Sequence, residues 1–415
     1  MSMFIFGIAV TALVAGMGSS LNLTRQDRLR SVAANLAAQD MDIVRSTAFT
    51  SLPLGETITT QTVDNTVYTL TRETGWVSAN ATSGPCQTTS GSTLAYLSVN
   101  TTVTWTNMSG TKPPESNTVV SPPIGTYDPN NGHVAVTVLN ANGQPQSDIP
   151  VSLTGGSVNQ TEQTTTDGCS FFGYIAPGAY TITLNQTGLV SDQGVVMPTK
   201  AVTVTAGAIA TVQMQYDTAA TLNLTLTGGS PLPTSSPGIP ITLYNTHLLP
   251  SGLKYVAGTG TSRTIGNLFP YTDGYQAWGG GCSDADPQGV TPAGPAFYPG
   301  ATRAAVMSVT PGGTTSGNVA LHAITVFTKN TASGLARPNV VVTATHVVPA
   351  GSTGGVDAKC AAGEVYTLGT TSASGLLTVL LPYGTWKISA AGTLNTVNQG
   401  LSPLVGSTPT ATVSW

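Results

Sequence analysis

Charge is what this sequence has least of. Of 415 residues only 14 are Lys or Arg and 18 are Asp or Glu, together 8%, against about 25% in ordinary soluble domains. The net charge is −4, which excludes disorder driven by charge repulsion. Lys and Arg form no run outside one short segment near the N-terminus, so a protein that neutralises nucleic-acid phosphates is excluded as well. The four cysteines make no CxxC and no Cys/His cluster, so no zinc site is expected. There is no HExxH motif and no GxSxG elbow, and His133, His247, His322 and His346 stand isolated. Catalysis finds no support. What is present is 47 Gly, 27 Pro and an ordinary 40% of hydrophobic residues, enough to build cores. The length suits roughly three to five domains. A charge-poor, Gly/Pro/Thr-rich chain with scattered aromatics reads as a string of β-sandwiches working outside the cytoplasm.

Met1 to Val14 is almost wholly apolar, and AGMGSSLNL extends it to Leu23. About 20 apolar residues can span a bilayer. A secretory signal would need a basic region before this run and a cleavage site after it. No Lys or Arg precedes it. The following segment, Thr24 to Thr47, is Ala-rich and free of Gly and Pro, with Leu29, Val32, Leu36 and Met41 near helical spacing. The apolar run therefore continues into one long amphipathic helix. Arg25, Arg28 and Arg30 follow the run, and the positive-inside rule would leave the remainder in the cytoplasm. Since that remainder reads as extracytoplasmic, basic residues encoded upstream of Met1 would resolve the conflict.

MFIFGIAVTAL followed by an arginine-bearing helix resembles the interior of a type IV pilin or pseudopilin N-terminal helix. In that family a short basic leader ends in Gly and an apolar segment follows. The family's peptidase site and near-terminal glutamate map onto no residue of this chain. The resemblance implies that Met3, Phe4, Ile5, Phe6, Ile8, Val10 and Leu13 supply the surface that packs in membrane or filament core. It also implies that Arg25, Asp27, Arg28 and Arg30 mark the emergence into water. Seven of the charged residues crowd into this helix: those four with Asp40, Asp42 and Arg45.

From Ala48 to about Thr126 the pattern alternates. ETITTQTVDNTVYTLTRETGWVS reads as two strands around a turn at Asp64-Asn65, and AYLSVNTTVTWTN as another, with Leu97, Val99, Val103 and Trp105 on one face. KPPESNTVVSPPIG, with four prolines, closes this unit, and YDPNNG is a linker. In the pilin resemblance this is the β head that packs on the second half of the helix.

Beyond Gly132 the chain repeats at a period of about 90–105 residues. The shared kernel is a Pro and a Gly, then an aromatic, then an apolar: Pro177-Gly178-Tyr180-Ile182, Pro382-Gly384-Trp386-Ile388, and the longer Pro270-Gly274-Tyr275-Trp278. The Pro and Gly make a turn and the aromatic begins an inward-facing strand. The second repeat ends in AAVMSVTPGGTTSGNVALHA, read as a closing hairpin. This kernel resembles the Cna-B or prealbumin-like sandwich of bacterial surface stalks. The expected fold is thus mainly β, with one long N-terminal helix (1–47), a pilin-like head (48–126) and three tandem sandwiches (127–217, 218–322 and 323–415).

Some Cna-B modules carry an internal Lys–Asn isopeptide bond. Lys329 is the one lysine in a suitable place, but LLPYGTW lacks the family's glutamate before its Pro, so Lys329 reads as a solvated strand end. Cys86, Cys169, Cys282 and Cys360 fall one per β domain, so oxidation must staple different domains or subunits. Three pairings are open; contact between consecutive domains favours Cys86–Cys169 and Cys282–Cys360. Asp284 and Asp286, in GGGCSDADPQG, could contribute to a Ca²⁺ site, although such residues are more often turn or cap groups. Ser251-Gly252-Leu253-Lys254 fits an S-x-x-K pattern without the KTG or SDN that would accompany it. Seven N-x-[ST] sequons, at Asn22, Asn80, Asn100, Asn107, Asn159, Asn185 and Asn223, are near chance in so Thr-rich a chain. Leu52-Pro53-Leu54-Gly55 is not a sortase signal, so anchoring falls to the helix.

Together these readings describe a minor pilin or pilin-like structural and adhesive subunit of a type IV filament, with no enzymatic activity and no cofactor. Its expected partners are other pilin subunits through the helix, the cytoplasmic membrane before assembly, and a surface or carbohydrate ligand; no nucleic acid is expected. Its place would be the cytoplasmic membrane and then the cell-surface filament, at a tip or low-abundance position. Two rivals are a membrane-anchored surface protein whose helix never joins a filament, and an extracellular enzyme or sugar-binding protein using a sandwich face, which would need a clustered acidic or aromatic site. The pilin reading expects the DNA immediately 5′ of the Met1 codon to continue in frame into a basic leader ending in Gly. Sequencing that region checks it, and an in-frame stop there would refute it.

Overall fold

A computed structural model describes all residues except 1, 54, 79–85, 87–93, 107, 109–111, 121–129, 235–237, 292, 350–363 and 415; the side chains of 2–16, 18, 19, 21, 22, 50, 76–78, 94 and 95 are also outside the description. One helix, α1 (Ser2–Ser46), runs without a break. No Pro interrupts it, and Ala, Leu, Arg and Gln dominate its second half, all strong helix formers. It ends where the Thr47 and Ser46 hydroxyls turn back to the Ile43 carbonyl, at 2.7 and 2.9 Å. Residues Ala33, Leu36, Ala37, Met41 and Val44 are buried along one stripe, with Leu29 and Val32 half-buried at its start. The expected apolar face is thus the packed one.

It packs on a four-stranded antiparallel meander of β1 (Gly55–Val63), β2 (Thr66–Ser78), β3 (Leu94–Trp105) and β4 (Glu115–Val120), in the order 1-2-3-4. The β1–β2 turn is Asp64-Asn65, both left-handed with φ of 48° and 61°, as a two-residue type I′ hairpin requires. Tyr68, Leu70, Leu97, Val99, Val103 and Trp105 form the buried face. Two alanines with no exposed surface, Ala33 and Ala37, let helix and sheet approach closely. The segment read as a proline-rich closure contains a strand instead, because ESNTVV lies between its two proline pairs and alternates half-buried with exposed.

The first sandwich has eight strands: β5 (Gly132–Leu139), β6 (Pro150–Gly155), β7 (Val158–Gln163), β8 (Cys169–Ile175), β9 (Gly178–Leu184), β10 (Leu189–Ser191), β11 (Thr199–Val204) and β12 (Ile209–Thr218). They form sheets of order 10-12-5-8 and 11-9-6-7. The second group comprises β13 (Ala220–Thr227), β14 (Ile241–Tyr244), β15 (Leu253–Val256), β16 (Ser262–Leu268), β17 (Gln276–Gly279) and β18 (Thr314–Ala320), in sheets 16-13-18 and 15-14-17. The third comprises β19 (His322–Lys329), β20 (Val341–His346), β21 (Val365–Thr370), β22 (Leu376–Leu381), β23 (Gly384–Ala390), β24 (Thr396–Leu401) and β25 (Thr410–Ser414), in sheets 22-19-25 and 21-20-23-24. The chain is mainly β, with one N-terminal helix and several sandwich sheets. By contact it divides into two compact units, Met1–Gln186 with Met197–Met214, and Thr187–Val196 with Gln215–Trp415.

The closing hairpin read in the second repeat is not formed. There β18 runs parallel to the opening strand β13, and in the third repeat β25 runs parallel to β19. In both repeats the closing strand pairs with the opening strand as the edge of its sheet, instead of folding back on the segment just before it.

The kernel has a common hydrogen bond that the sequence did not announce. Tyr180 Oη donates to the Ala176 carbonyl (2.8 Å), Trp386 Nε1 to Pro382 (3.0 Å), and Tyr275 Oη to Phe269 (2.8 Å). Each aromatic is buried, and each ties its polar tip to the turn that precedes it. The first and third sandwiches also share a threonine clasp. The Ile149 amide donates to Thr164 Oγ1 (2.9 Å), and the Val340 amide donates to Thr371 Oγ1 (3.0 Å). Each follows a left-handed residue, Asp148 or Asn339. Replacing Tyr180 by Phe removes one such bond while keeping the ring, and should destabilise the first sandwich by about 0.5–1.5 kcal/mol. Denaturant unfolding with hydrogen exchange as the local probe measures it, and an unchanged stability would deny the bond its role.

Candidate functional site

Among the described residues, three clusters of buried polar groups stand out. The first locks the helix to the head. Asp40, 5% exposed, accepts from Arg72 Nε (2.9 Å) and Arg72 Nη2, and from Thr101 Oγ1 (2.6 Å). Burial pushes the Asp40 carboxyl upward, but the bonds from Arg72 and Thr101 and the Arg72 charge outweigh it, leaving it below its ordinary range. The helix is exposed farther out, at Met17, Ser20, Leu23, Arg25, Asp27, Arg28 and Arg30, with Arg28 on Asp64 at 2.8 Å at the surface. Among the described residues no helix is long and apolar enough to cross a membrane. Met3, Phe4, Ile5, Phe6, Ile8, Val10 and Leu13 lie where only the backbone is described.

The second place is the joint between head and first sandwich. Met41, Val44, Phe49, Leu52, Leu97 and Val99 pack in one cluster with Ala135 and Ile209 of the sandwich, flanked by Phe171 and Tyr174. A disulfide joins Cys86 of the head to Cys169, 83 residues on. Beside it His133, 1% exposed, stacks on Phe171 (5.6 Å, 16°) and meets Tyr174 edge-on (5.5 Å). Its Nδ1 accepts from the Tyr174 amide at 3.2 Å. Burial lowers the His133 pKa to about 4.

The third place lies within the second unit. The Gly-rich loop after β17 makes a 3-10 turn, Ser283–Ala285, and sends its two aspartates to different partners. Asp286 is held by Arg303 Nε (2.9 Å) and Nη2 (2.7 Å), and that guanidinium lies over the Tyr244 ring at 3.7 Å. Asp284 Oδ2 pairs with His346 Nε2 at 3.0 Å, both buried, and its main-chain carbonyl accepts from Tyr298 Oη (2.8 Å). The two aspartates therefore do not converge as a Ca²⁺ pair. His346 is not isolated: its Nδ1 lies 3.5 Å from Cys282 Sγ. Cys282, Asp284 and His346 offer ligand atoms within 4.8 Å of one another, a cluster that sequence spacing hides because His346 comes 62 residues after Asp284. Cys282 is disulfide-bonded, however. Without a thiolate only one nitrogen and one carboxylate remain, already bonded to each other, and such a donor set does not suit zinc. The expected partner, Cys360, lies outside the described residues. Gly384 of the third kernel (φ 124°) closes this place, since a Cβ there would come within 2.8 Å of Asp284 Oδ2 and 3.0 Å of His346 Nε2.

The other expected residues stay apart. Lys329 ends β19, half-buried, and among the described residues meets no carboxylate. No hydrogen bond joins Ser251 to Lys254, whose pKa burial lowers. His247 stacks on Tyr271 at 5.3 Å, and His322 borders Tyr383 at 6.4 Å. Of the sequons, Asn159, Asn185 and Asn223 are exposed and Asn100 is half-buried in β3; Asn80, Asn107 and the Asn22 side chain lie outside the described residues.

No protein-family model matches the chain, and no curated protein matches it. Among solved structures it is similar to the Bacillus anthracis TIE protein, at 13% identity over 88% of this chain and 73% of that one, with a TM-score of 0.22. It is also similar to BcpA, the major pilin subunit of Bacillus cereus (11%, 68% and 99%, TM-score 0.19). A third similarity is to the full-length major pilin SpaD of Corynebacterium diphtheriae (8%, 68% and 96%, TM-score 0.20). Identities and TM-scores this low carry no argument about what the chain does.

His133 makes the first unit sensitive to acid. Its folded pKa of about 4 lies below the ordinary 6.5, so the native state binds fewer protons than the unfolded one between these values. The contribution is complete above pH 6.5 and declines as pH falls towards 4, by about 2 kcal/mol between pH 7 and 5. Asp40, whose pKa is also lowered, keeps its contribution until pH falls to the ordinary carboxylate range and loses it below that. Denaturant unfolding at pH 7 and 5 should show the loss, and His133→Gln should flatten it; an equal slope in the variant would assign it to other groups.

Proposed function

We propose that the chain is a structural and adhesive subunit of a type IV-like surface filament. In this reading α1 enters the filament core and the β modules project outward. The observation that carries this reading is the division of labour along α1. Apolar packing against the head begins at Leu29, 27 residues after the helix starts at Ser2, so roughly 40 Å of helix precedes the head. That stretch includes the apolar residues Met3 to Leu13, the composition of a packing surface for neighbouring helices. The membrane stage of such a route rests on this sequence alone.

Joints favour a load-bearing role over turnover. The head and first sandwich share a hydrophobic cluster and a disulfide, and in the second unit the Asp284–His346 pair ties the loop after β17 to β20. Three sandwiches on one subunit would be hard to bury repeatedly in a filament wall, which favours a tip or low-abundance position with a role in adhesion or initiation.

Surface filaments sheared from the native cell should contain the full chain, and Val10→Arg within the expected core surface should abolish its incorporation. Immunoblotting of sheared and cell-bound fractions reads both. Retention of the wild-type chain with the cells, absent from every sheared filament, would overturn the reading in favour of a surface protein that never enters one.

A further inference from the structure

The first sandwich has an open flank where β7 ends one sheet and β8 ends the other. Among the described residues the head covers it incompletely and leaves a cleft of about 400 Å³, a volume typical of small-molecule sites. Phe49 and Leu97 of the head, both buried, form its floor. Phe171 and Tyr174 of β8, half-buried, form one wall, and Gln160 and Glu162 of β7, both exposed, form the other.

Two features set this cleft apart from an ordinary seam. Tyr174 has a φ of 57°, a left-handed backbone that a bulky residue adopts at a cost of roughly 1–3 kcal/mol. That conformation is held by the bond from its amide to His133, whose ring also stacks on Phe171. The strain thus accompanies a fixed pair of aromatic rings. Opposite them, Gln160 and Glu162 share one face of an edge strand, roughly 7 Å apart. Neither side chain makes a hydrogen bond or ion pair among the described residues.

We propose that this cleft binds a pyranose saccharide. An aromatic face, negative at its centre, accepts the weakly positive C–H groups of a sugar ring. Planar amide and carboxylate groups supply donors and acceptors in the plane that sugar hydroxyls need. An ammonium ligand could use the rings, Glu162 and the Gln160 oxygen, but it would leave the Gln160 N–H donors without an acceptor, which a sugar hydroxyl supplies. The mixed donor and acceptor wall, in a chain with so little charge, selects a neutral polyhydroxylated ligand. The site lies wholly within the first unit and does not depend on filament entry, so its failure would leave the proposed function standing.

The test is saturation-transfer NMR on the full chain with cellotriose, chitotriose, lactose and mannotriose, and with tetramethylammonium as the rival probe. At least one saccharide should bind with a Kd of roughly 1 mM. Gln160→Ala and Glu162→Ala should each weaken that binding about tenfold. Both residues are exposed and unbonded, so the unfolding transition should not move. Tyr174→Gly removes the ring while relieving the left-handed strain, and should abolish binding in a folded protein. Binding of no saccharide, binding unchanged in the three variants, or binding of tetramethylammonium alone would each overturn the proposal.

Discussion

The arrangement of the first unit depends on one buried contact, that of Asp40 with Arg72 and Thr101. It joins the middle of the packed half of α1 to β2 and β3 at once, and it lies among largely apolar packed side chains. Apolar packing alone would tolerate a helix shifted or rotated by a turn, because Leu36, Met41 and their neighbours are non-directional partners. A carboxylate that must meet a guanidinium and a hydroxyl is far more selective, since a misplaced helix would leave a buried charge unpaired. With the helix placed, its end delivers Phe49 and Leu52 to the first sandwich, beside the disulfide that closes that joint.

The same logic recurs in a chain with few charges to use. The buried charged contacts join separate segments: Asp40 to Arg72, Asp286 to Arg303, and Asp284 to His346. Inside the sandwiches, several buried polar groups are satisfied by neutral partners. The kernel aromatics donate to a turn carbonyl, and Thr164 and Thr371 clasp the strand that follows a left-handed residue. Neutral hydrogen bonds of this kind repeat from module to module without the desolvation cost of ions. Charge is thereby left to specify where unlike pieces meet.

Much of the local architecture was legible. Leu36 and Met41 gave away the packed face of α1 because helical spacing is visible in one dimension, and Asp64-Asn65 gave away a hairpin because few residues accept two left-handed conformations in succession. The fourth head strand was hidden by its flanking prolines, which punctuate a sequence whether or not a strand lies between them. The hairpin read at the end of the second repeat was wrong for a related reason. Two apolar segments joined by a Gly-rich turn look alike whether they pair with each other or one of them pairs with β13, 93 residues earlier.

The sequence by itself determined the class of the protein: one unbroken helix, then Gly- and Pro-punctuated strands repeated around an aromatic kernel. These follow from propensity and periodicity, which act between near neighbours. Only the tertiary structure decided which distant groups share a place. His346, which looked isolated, meets Asp284 and Cys282; Asp284 and Asp286, adjacent in a suggestive pattern, part to different partners; and His133, Phe171 and Tyr174 come together with Phe49 of the head. The reason is physical. Burial and charge pairing depend on distance in space, and in a β-sandwich residues far apart in sequence lie side by side across the strands.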